Sequence, residues 1–593
     1  MGFDTKQLSE KNRRRHSIKK STTSKTSDMV SDEFSGMIST IRDQTSCNRK
    51  GFQFKVQRNG YCSVIPFACL TVLFSILVTV LIVQQRSTTF KVNGGDAKIN
   101  VLAGGAAQTE TPGVVDSGNA SSQQLLDELF APGHDKGSCL SRYEAILYRK
   151  PSSHKPSPYL LSKLRSYESL HNLCGPYTEA YNKTLEQLKY GRKVSTTDCN
   201  YVVYTPLSGL GNRMLTIASA FLYALLTNRV LLVEFGSEIA GLFCEPFQQT
   251  TWLLPRDFPL RNQFDNFSQE YPHTYGNMLK SRVINTAVKS PPPPFLYIYL
   301  AYNIDRYDGL FYCDQNQDQL GKVPWLVIKS NQYFVPSLFL VPSFKQELSK
   351  LFPDEETVFH HLGRYLFQPS NEAWGLITRF YRAYLSKADE TIGIQVRVFD
   401  TKATPFQTVM HQILSCTLKE KLLPEVLDVK NSAASLSNNQ SMKAVLVTSL
   451  YSEYYEHIKG MYWTKPTVSG EVIGVYQPSH EEHEIYGNNM HSMKAWTEIY
   501  LLSMSNVLIT SSWSTFGYVA QSLGGLKPWM LYRPFNGTTP DPPCVQAMSM
   551  EPCFHFPPSY GCKADVYIGP GAIVPHVKHC EDVEWGLKLV KDH

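Results

Sequence analysis

The spacing of apolar positions divides the chain before any chemistry is considered. Tyr61 to Val83, Y-C-S-V-I-P-F-A-C-L-T-V-L-F-S-I-L-V-T-V-L-I-V, runs 23 residues without a charge, enough for a helix to span a bilayer. Residues 1–60 have no apolar period and read as a disordered tail. Residues 84–158 are rich in Gly, Ser, Ala, Thr and Pro, with one short helical pattern near 123–129, and read as a stem. Beyond them, β-branched runs predict strands over Asn200–Tyr204, Val230–Phe235, Thr391–Val398, Lys443–Leu450, Glu471–Tyr476 and Val507–Ser511. Helical patterns fall over Met214–Leu226, Phe406–Leu423 and Met490–Ser505. This alternation predicts mostly parallel sheets covered by helices. A chain of 593 residues exceeds one ordinary core, so two lobes are expected, 159–388 and 389–593.

Charge sharpens the picture of the two ends. The tail holds 13 Lys and Arg against 6 Asp and Glu, so the formal net charge of +6 resides there and the remainder is close to neutral, 45 against 46. A near-neutral body argues against a nucleic-acid partner. Lys50, Lys55 and Arg58 precede the apolar run while Arg86 and Lys91 follow it, which leaves the N-terminus cytosolic and the body lumenal. The run lies too far from Met1 to be a cleavable leader. Five N-x-S/T acceptors, Asn119, Asn182, Asn266, Asn439 and Asn536, suit a lumenal body. Ten cysteines lie beyond the span, an even set with no C-x-x-C pair, which predicts disulfides rather than zinc. Their pairing is not readable from spacing, although the last four, Cys544, Cys553, Cys562 and Cys580, suit staples of a loop-rich end.

The chemistry gathers at strand ends. Thr391 to Asp400 reads T-I-G-I-Q-V-R-V-F-D, a buried strand with Gly393 allowing close backbone approach and Arg397 at its end. A guanidinium there offers a planar fork for phosphate oxygens; the alternative is an ion pair with Asp400. The loop Ser208-Gly209-Leu210-Gly211-Asn212-Arg213 opens a helix after the first strand of the body, a place where backbone donors approach anions. A dinucleotide site fits poorly, because Met214 replaces the third glycine of G-x-G-x-x-G despite Glu234 on the next strand. The run S-S-W-S-T-F-G-Y after Val507–Ser511 predicts a hydroxyl-rich turn capping a helix that Gly524-Gly525 stops. The polar, aromatic stretch Tyr297–Asp314 suits a sugar cleft, with Asp305, Asp308 and Asp314 as candidate acids; a solvated acidic loop is the competing reading.

Taken together, S-G-L-G-N-R-M at 208–214, I-G-I-Q-V-R-V-F-D-T at 392–401, L-V-T-S-L at 446–450, S-S-W-S-T-F-G-Y-V-A-Q at 511–521 and L-G-G-L-K-P-W at 523–529 resemble the plant cell-wall fucosyltransferases. Those enzymes move L-fucose from GDP-fucose to the 2-hydroxyl of a galactosyl residue, as in xyloglucan. The resemblance implies an α/β, GT-B-like glycosyltransferase with two Rossmann-like lobes, here preceded by one transmembrane helix and a stem, in the Golgi membrane. It implies donor contacts from Asn212, Arg213, Arg397, Ser514, Thr515, Phe516, Gly517 and Glu498, and acceptor contacts from Asp305 and from Asn331 in K-S-N-Q-Y-F. Of the catalytic residues, the resemblance implies Arg397, which steadies the leaving diphosphate; Asp308 is a candidate from the polar stretch with Asp305 and Asp314, and the motifs identify no general base. No D-x-D occurs, so no metal and no cofactor beyond the co-substrate GDP-fucose are expected. Partners are GDP-fucose, a galactose-bearing cell-wall glycan and the membrane; a homodimer or a complex with other Golgi glycosyltransferases is compatible with this class. A fucosyltransferase of arabinogalactan-protein or pectic glycans, or an inactive glycan-binding homologue, would carry the same motifs.

Overall fold

In the computed structural model the described residues are 129–190, 199–284, 292–302, 304–427, 441–558, 562 and 574–592. The basic tail, the apolar run 61–83, residues 84–128 with all but the last residue of the 123–129 helical pattern, and Asn119 and Asn439 lie outside them.

The first lobe forms around β-branched and aromatic runs. β1 (Tyr201–Thr205), β2 (Val230–Val233), β3 (Phe295–Tyr299) and β4 (Trp325–Lys329) make a parallel sheet in the order β2-β1-β4-β3. Helix α1 (Pro158–Cys174) starts at Ser157, whose hydroxyl accepts from the Leu160 N–H at 3.0 Å, with Pro158 preset for the first turn. Helix α2 (Leu210–Thr227) links β1 to β2 and is apolar enough to cross a membrane, yet 72% of its most apolar window is buried inside the lobe. Helices α3 (Val358–Leu366) and α4 (Asn371–Phe380) end the lobe.

The second lobe follows the same logic with a longer sheet. β5 (Glu390–Gln395), β6 (Met442–Thr448), β7 (Val472–Tyr476), β8 (Val507–Ser511), β9 (Trp529–Leu531) and β10 (Val545–Gln546) lie in the order β10-β9-β8-β5-β6-β7, parallel except for the last pairing, β9 with β10. Gly393 does what its position predicts: a Cβ there would come within 2.9 Å of Leu502, Leu508 and Ser505. Helices α5 (Asn489–Leu502) and α6 (Thr515–Gly524) cover one face, and α6 stops at Gly525, φ +68°. Beyond β10 the chain forms a hairpin of β11 (Val577–His579) and β12 (Leu587–Leu589).

Two boundaries move relative to the sequence. The body begins by Leu129, not at 159: Leu129 and Phe130 are buried, Phe130 stacks on Tyr365 at 5.5 Å, Arg142 is buried and donates to the Glu245 carbonyl at 2.9 Å, and Cys139 bonds Cys244. The stem assignment over 129–158 is therefore corrected, since its Gly- and Pro-rich composition hides an apolar anchor. Nor does the C-terminal lobe keep its end. The last segment returns to the first lobe, where the Tyr333 hydroxyl donates to Glu551, Phe339 packs on His576, and Cys562 bonds Cys313. All ten cysteines beyond the apolar run 61–83 pair as five disulfides, with Cys174–Cys199, Cys416–Cys544 and Cys553–Cys580 completing the set. Only Cys553–Cys580 closes within the C-terminal end. One core runs through both lobes where α3 and α4 meet α5 and α6, and a separate core lies beneath the other face of the second sheet.

Candidate active site between the two sheet edges

On the second lobe the site is built where β5 and β8 end. β5 stops at Gln395, so Arg397 lies just beyond it, and its backbone N–H donates to the Ser511 hydroxyl at 2.9 Å. The guanidinium does not pair with Asp400, which caps its own loop by accepting from the Lys402 N–H at 2.8 Å. It meets Glu484 at 3.2 Å and lies over the Phe399 ring at 5.3 Å. A cavity opens beside it, lined by Arg397, Phe399, Thr404, Trp513, Tyr532 and Arg533 among others. Three buried polar atoms near the carboxyl ends of β5, β6 and β7, Gln395 Oε1, Thr448 Oγ1 and Gln477 Oε1, have no hydrogen-bond partner among the described residues, a sign of an edge shaped for something besides packing.

The turn into α6 carries a strained residue. Trp513 has φ +61°, a region that bulky side chains rarely occupy. Asp582 holds it there: one carboxylate oxygen accepts from the Trp513 backbone N–H at 2.9 Å and from the Tyr518 hydroxyl, while the Asp582 carbonyl accepts from the indole. Ser514 sits at the N-cap, but its hydroxyl makes no cap bond. The sequence reading of Ser514 as a cap thus holds for position and not for bonding.

The first-lobe edge faces this turn. Ser208, itself at φ +65°, bonds the Tyr302 hydroxyl at 2.9 Å and accepts from Asn331 Nδ2 at 3.2 Å. Asn212 Nδ2 donates to the Asn331 carbonyl at 3.0 Å, and its Oδ1 accepts from the Thr515 hydroxyl at 3.2 Å. A Cβ on Gly211 would lie 2.8 to 3.0 Å from Thr515 atoms, two of them backbone, so only glycine lets α2 come this close. Two helix N-termini meet at one edge, and both favour negative charge.

A family model described as Xyloglucan fucosyltransferase matches residues 97–563. The chain belongs to this family. It is 54% identical over 525 residues to a galactoside 2-alpha-L-fucosyltransferase of Arabidopsis thaliana, covering 88% of this chain and 92% of that one. A galactoside 2-alpha-L-fucosyltransferase of Pisum sativum is 52% identical over 533 residues, covering 89% and 91%. Among solved structures, a mutant of Arabidopsis thaliana FUT1 in complex with GDP is 57% identical with a TM-score of 0.73, covering 78% of this chain and 99% of that one. The α/β, GT-B-like expectation accords with the two sheets described.

Within this xyloglucan fucosyltransferase family member the remaining candidates sort by their partners. Arg213 is tied into its own lobe: Nε donates to the Ser208 carbonyl at 2.7 Å, a second nitrogen reaches the Phe235 carbonyl, and the guanidinium pairs with Glu238. It shapes the glycine loop and presents no free fork. Glu498 is buried beneath the loop after β7, where it accepts from the Ser479 N–H at 3.1 Å and from its hydroxyl at 2.6 Å; burial pushes its carboxyl up to about 7. Gly517 lets α6 sit against Thr510 and Gln395, and the half-buried Phe516 packs on the main core.

Among the acids, Asp305 caps the short helix Arg306–Gly309 by accepting from the Tyr307 and Asp308 N–H groups. Asp314 accepts from the Ser343 N–H at 3.0 Å. Asp308 is buried against Gly276 and accepts from Gln269 at 3.3 Å; burial, then the Asp305 charge, raise its carboxyl to about 7. These acids stand outside the Ser208, Asn331, Asn212 and Thr515 network, whereas buried Asn331 is part of it. Asn182, Asn266 and Asn536 are all exposed. Sequence reasoning missed Ser208, Tyr302, Glu484 and Asp582. Asp582 and Glu484 sit in charged stretches without period, and nothing in their neighbourhood in the chain marks them.

Proposed function

We propose that this protein transfers L-fucose from GDP-fucose to the 2-hydroxyl of a galactosyl residue on a cell-wall glycan such as xyloglucan. The observation that carries this reading is the convergence of Arg397, the cavity beside it and the N-terminus of α6 at one sheet edge, in a chain 57% identical to a structure holding GDP. The nucleotide takes the cavity beside Arg397. The diphosphate lies between that guanidinium and the N–H groups opening α6, which stabilise the negative charge that grows as the glycosidic bond to phosphate breaks. The acceptor hydroxyl attacks the anomeric carbon from the opposite face, giving inversion, and the Asn331 and Asn212 network orients the acceptor from the first lobe. Arg and helix donors perform the charge stabilisation that a metal would otherwise supply, so the transfer is proposed to run without one.

The proposed placement is a single-pass type II protein of the Golgi membrane with a lumenal body. Its support is the uncharged run 61–83 with its flanking charges, five disulfides suited to an oxidising compartment, and exposed acceptors at Asn182, Asn266 and Asn536. The test is incubation of the lumenal body with GDP-fucose and a panel of galactose-terminated oligosaccharides, in chelator. Transfer to xyloglucan fragments in chelator is the expected result. Transfer only to arabinogalactan or pectic fragments would move the acceptor, and loss of transfer in chelator would restore a metal.

A further inference from the structure

The loop 480–488 crosses from the second lobe to the first. Its far end is fastened there: the Gly487 N–H donates to Glu238 at 2.9 Å, and Asn489 Nδ2 donates to the Ala240 carbonyl at 2.8 Å and reaches those of Ser237 and Glu238. Between the two lobes the loop presents Glu484. Its Oε2 lies 3.2 Å from an Arg397 nitrogen and accepts from the Tyr486 hydroxyl at 3.2 Å. Its Oε1 faces Gly209, the N-cap of α2, where a Cβ would come within 3.4 Å of it. A carboxylate thus stands between a guanidinium and a helix N-terminus, the surroundings that suit a phosphate.

We propose that Glu484 and the donor diphosphate compete for Arg397, so that Glu484 sets the affinity of the site for GDP and for GDP-fucose. The inference rests on the donor site proposed above. A carboxylate and a diphosphate beside one guanidinium repel each other, so the stronger anion displaces the weaker. The exchange needs no unfolding, since the side chains of Arg397 and Glu484 are 29% and 37% exposed. Gly487, at φ +74°, gives the loop a pivot beside its anchor. GDP draws Arg397 away, Glu484 swings outward with Tyr486, and the return of Glu484 helps expel GDP after transfer.

The test is calorimetric titration of GDP into the lumenal body of the wild type, Glu484→Gln and Glu482→Gln. Glu482 is exposed on the same loop and controls for net charge. Glu484→Gln is expected to bind GDP about 3- to 10-fold more tightly, as removal of one partly exposed competing charge allows, and Glu482→Gln to match the wild type. Unchanged or weaker binding in Glu484→Gln overturns the competition, as does equal tightening by Glu482→Gln. Failure of the wild type to bind GDP would instead overturn the donor site itself.

Discussion

Arg213 and Arg397 both follow short motifs at the carboxyl end of a strand, one in each lobe, yet they have opposite characters. Arg213 is held by two backbone carbonyls and Glu238, all from the first lobe. Arg397 meets one carboxylate, a partly exposed one from the 480–488 loop, over an exposed aromatic ring. An arginine whose donors are spent on its own lobe supports a loop; one with a replaceable partner can serve a ligand. Motif membership does not distinguish them, and partner count does.

That contrast can be broken most directly by Arg397→Ala, expected to lower fucosyl transfer about 100- to 1000-fold, the range for removing a main donor to developing charge, with secretion and Tm near wild type. Initial rates and thermal melts on the same preparation check it. Asp582→Ala removes the acceptor that holds Trp513 in its strained form. It should destabilise the body by about 3 kcal/mol and raise the KM for GDP-fucose, because the turn beside Arg397 relaxes. Arg213→Ala should do the reverse of Arg397→Ala, losing about 2 kcal/mol of stability while keeping most of its turnover per folded molecule. Gly211→Ala probes the seam between the two edges: the added Cβ must push α2 from Thr515, at about 1–2 kcal/mol, with a lower kcat.

The smallest effect concerns pH. Burial raises Glu551 to about 8, and the Asp308 and Glu498 carboxyls to about 7. Folded protein therefore holds protons that the unfolded chain has released above its ordinary carboxylate range, and stability falls as pH rises toward 8. Half-buried His134 and buried His171 and His361 act oppositely, with pKa values lowered to about 4, 4 and 3, but their contribution is complete once pH exceeds their unfolded value near 6.5. Between pH 6.5 and 8 the contribution of these carboxyls remains, so stability should fall across that window, by about 1 kcal/mol per pH unit for Glu551, and the Tm with it. Melts of Glu551→Gln should show a flatter slope.

How much was legible in the chain depended on whether a residue's partner lay nearby in sequence. The strands 442–448, 472–476 and 507–511 follow from their β-branched runs, and Gly393 and Gly525 from local geometry. β3 and β4 escaped because they are short apolar runs of five residues without alternation, and β9 because it is only three residues long. At the site, the position of Arg397 just past the end of β5 was readable, since motif and strand end coincide. The roles of Asp305 as a helix cap and of Glu498 as a loop anchor were not, because a carboxylate's duty is set by the donors that fold against it. Glu484 and Asp582 reach Arg397 and Trp513 across 87 and 69 residues, a separation that no local pattern encodes.

The disulfide between Cys139 and Cys244 also decides where the folded body can be cut from the segment that precedes it. A secreted fragment beginning at Ser157 would lack Cys139 and the Phe130 ring that stacks on Tyr365. Cys244 would then emerge as a lone thiol in an oxidising secretory pathway, open to pairing with another molecule. A soluble enzyme that stays monodisperse has to begin upstream of Leu129.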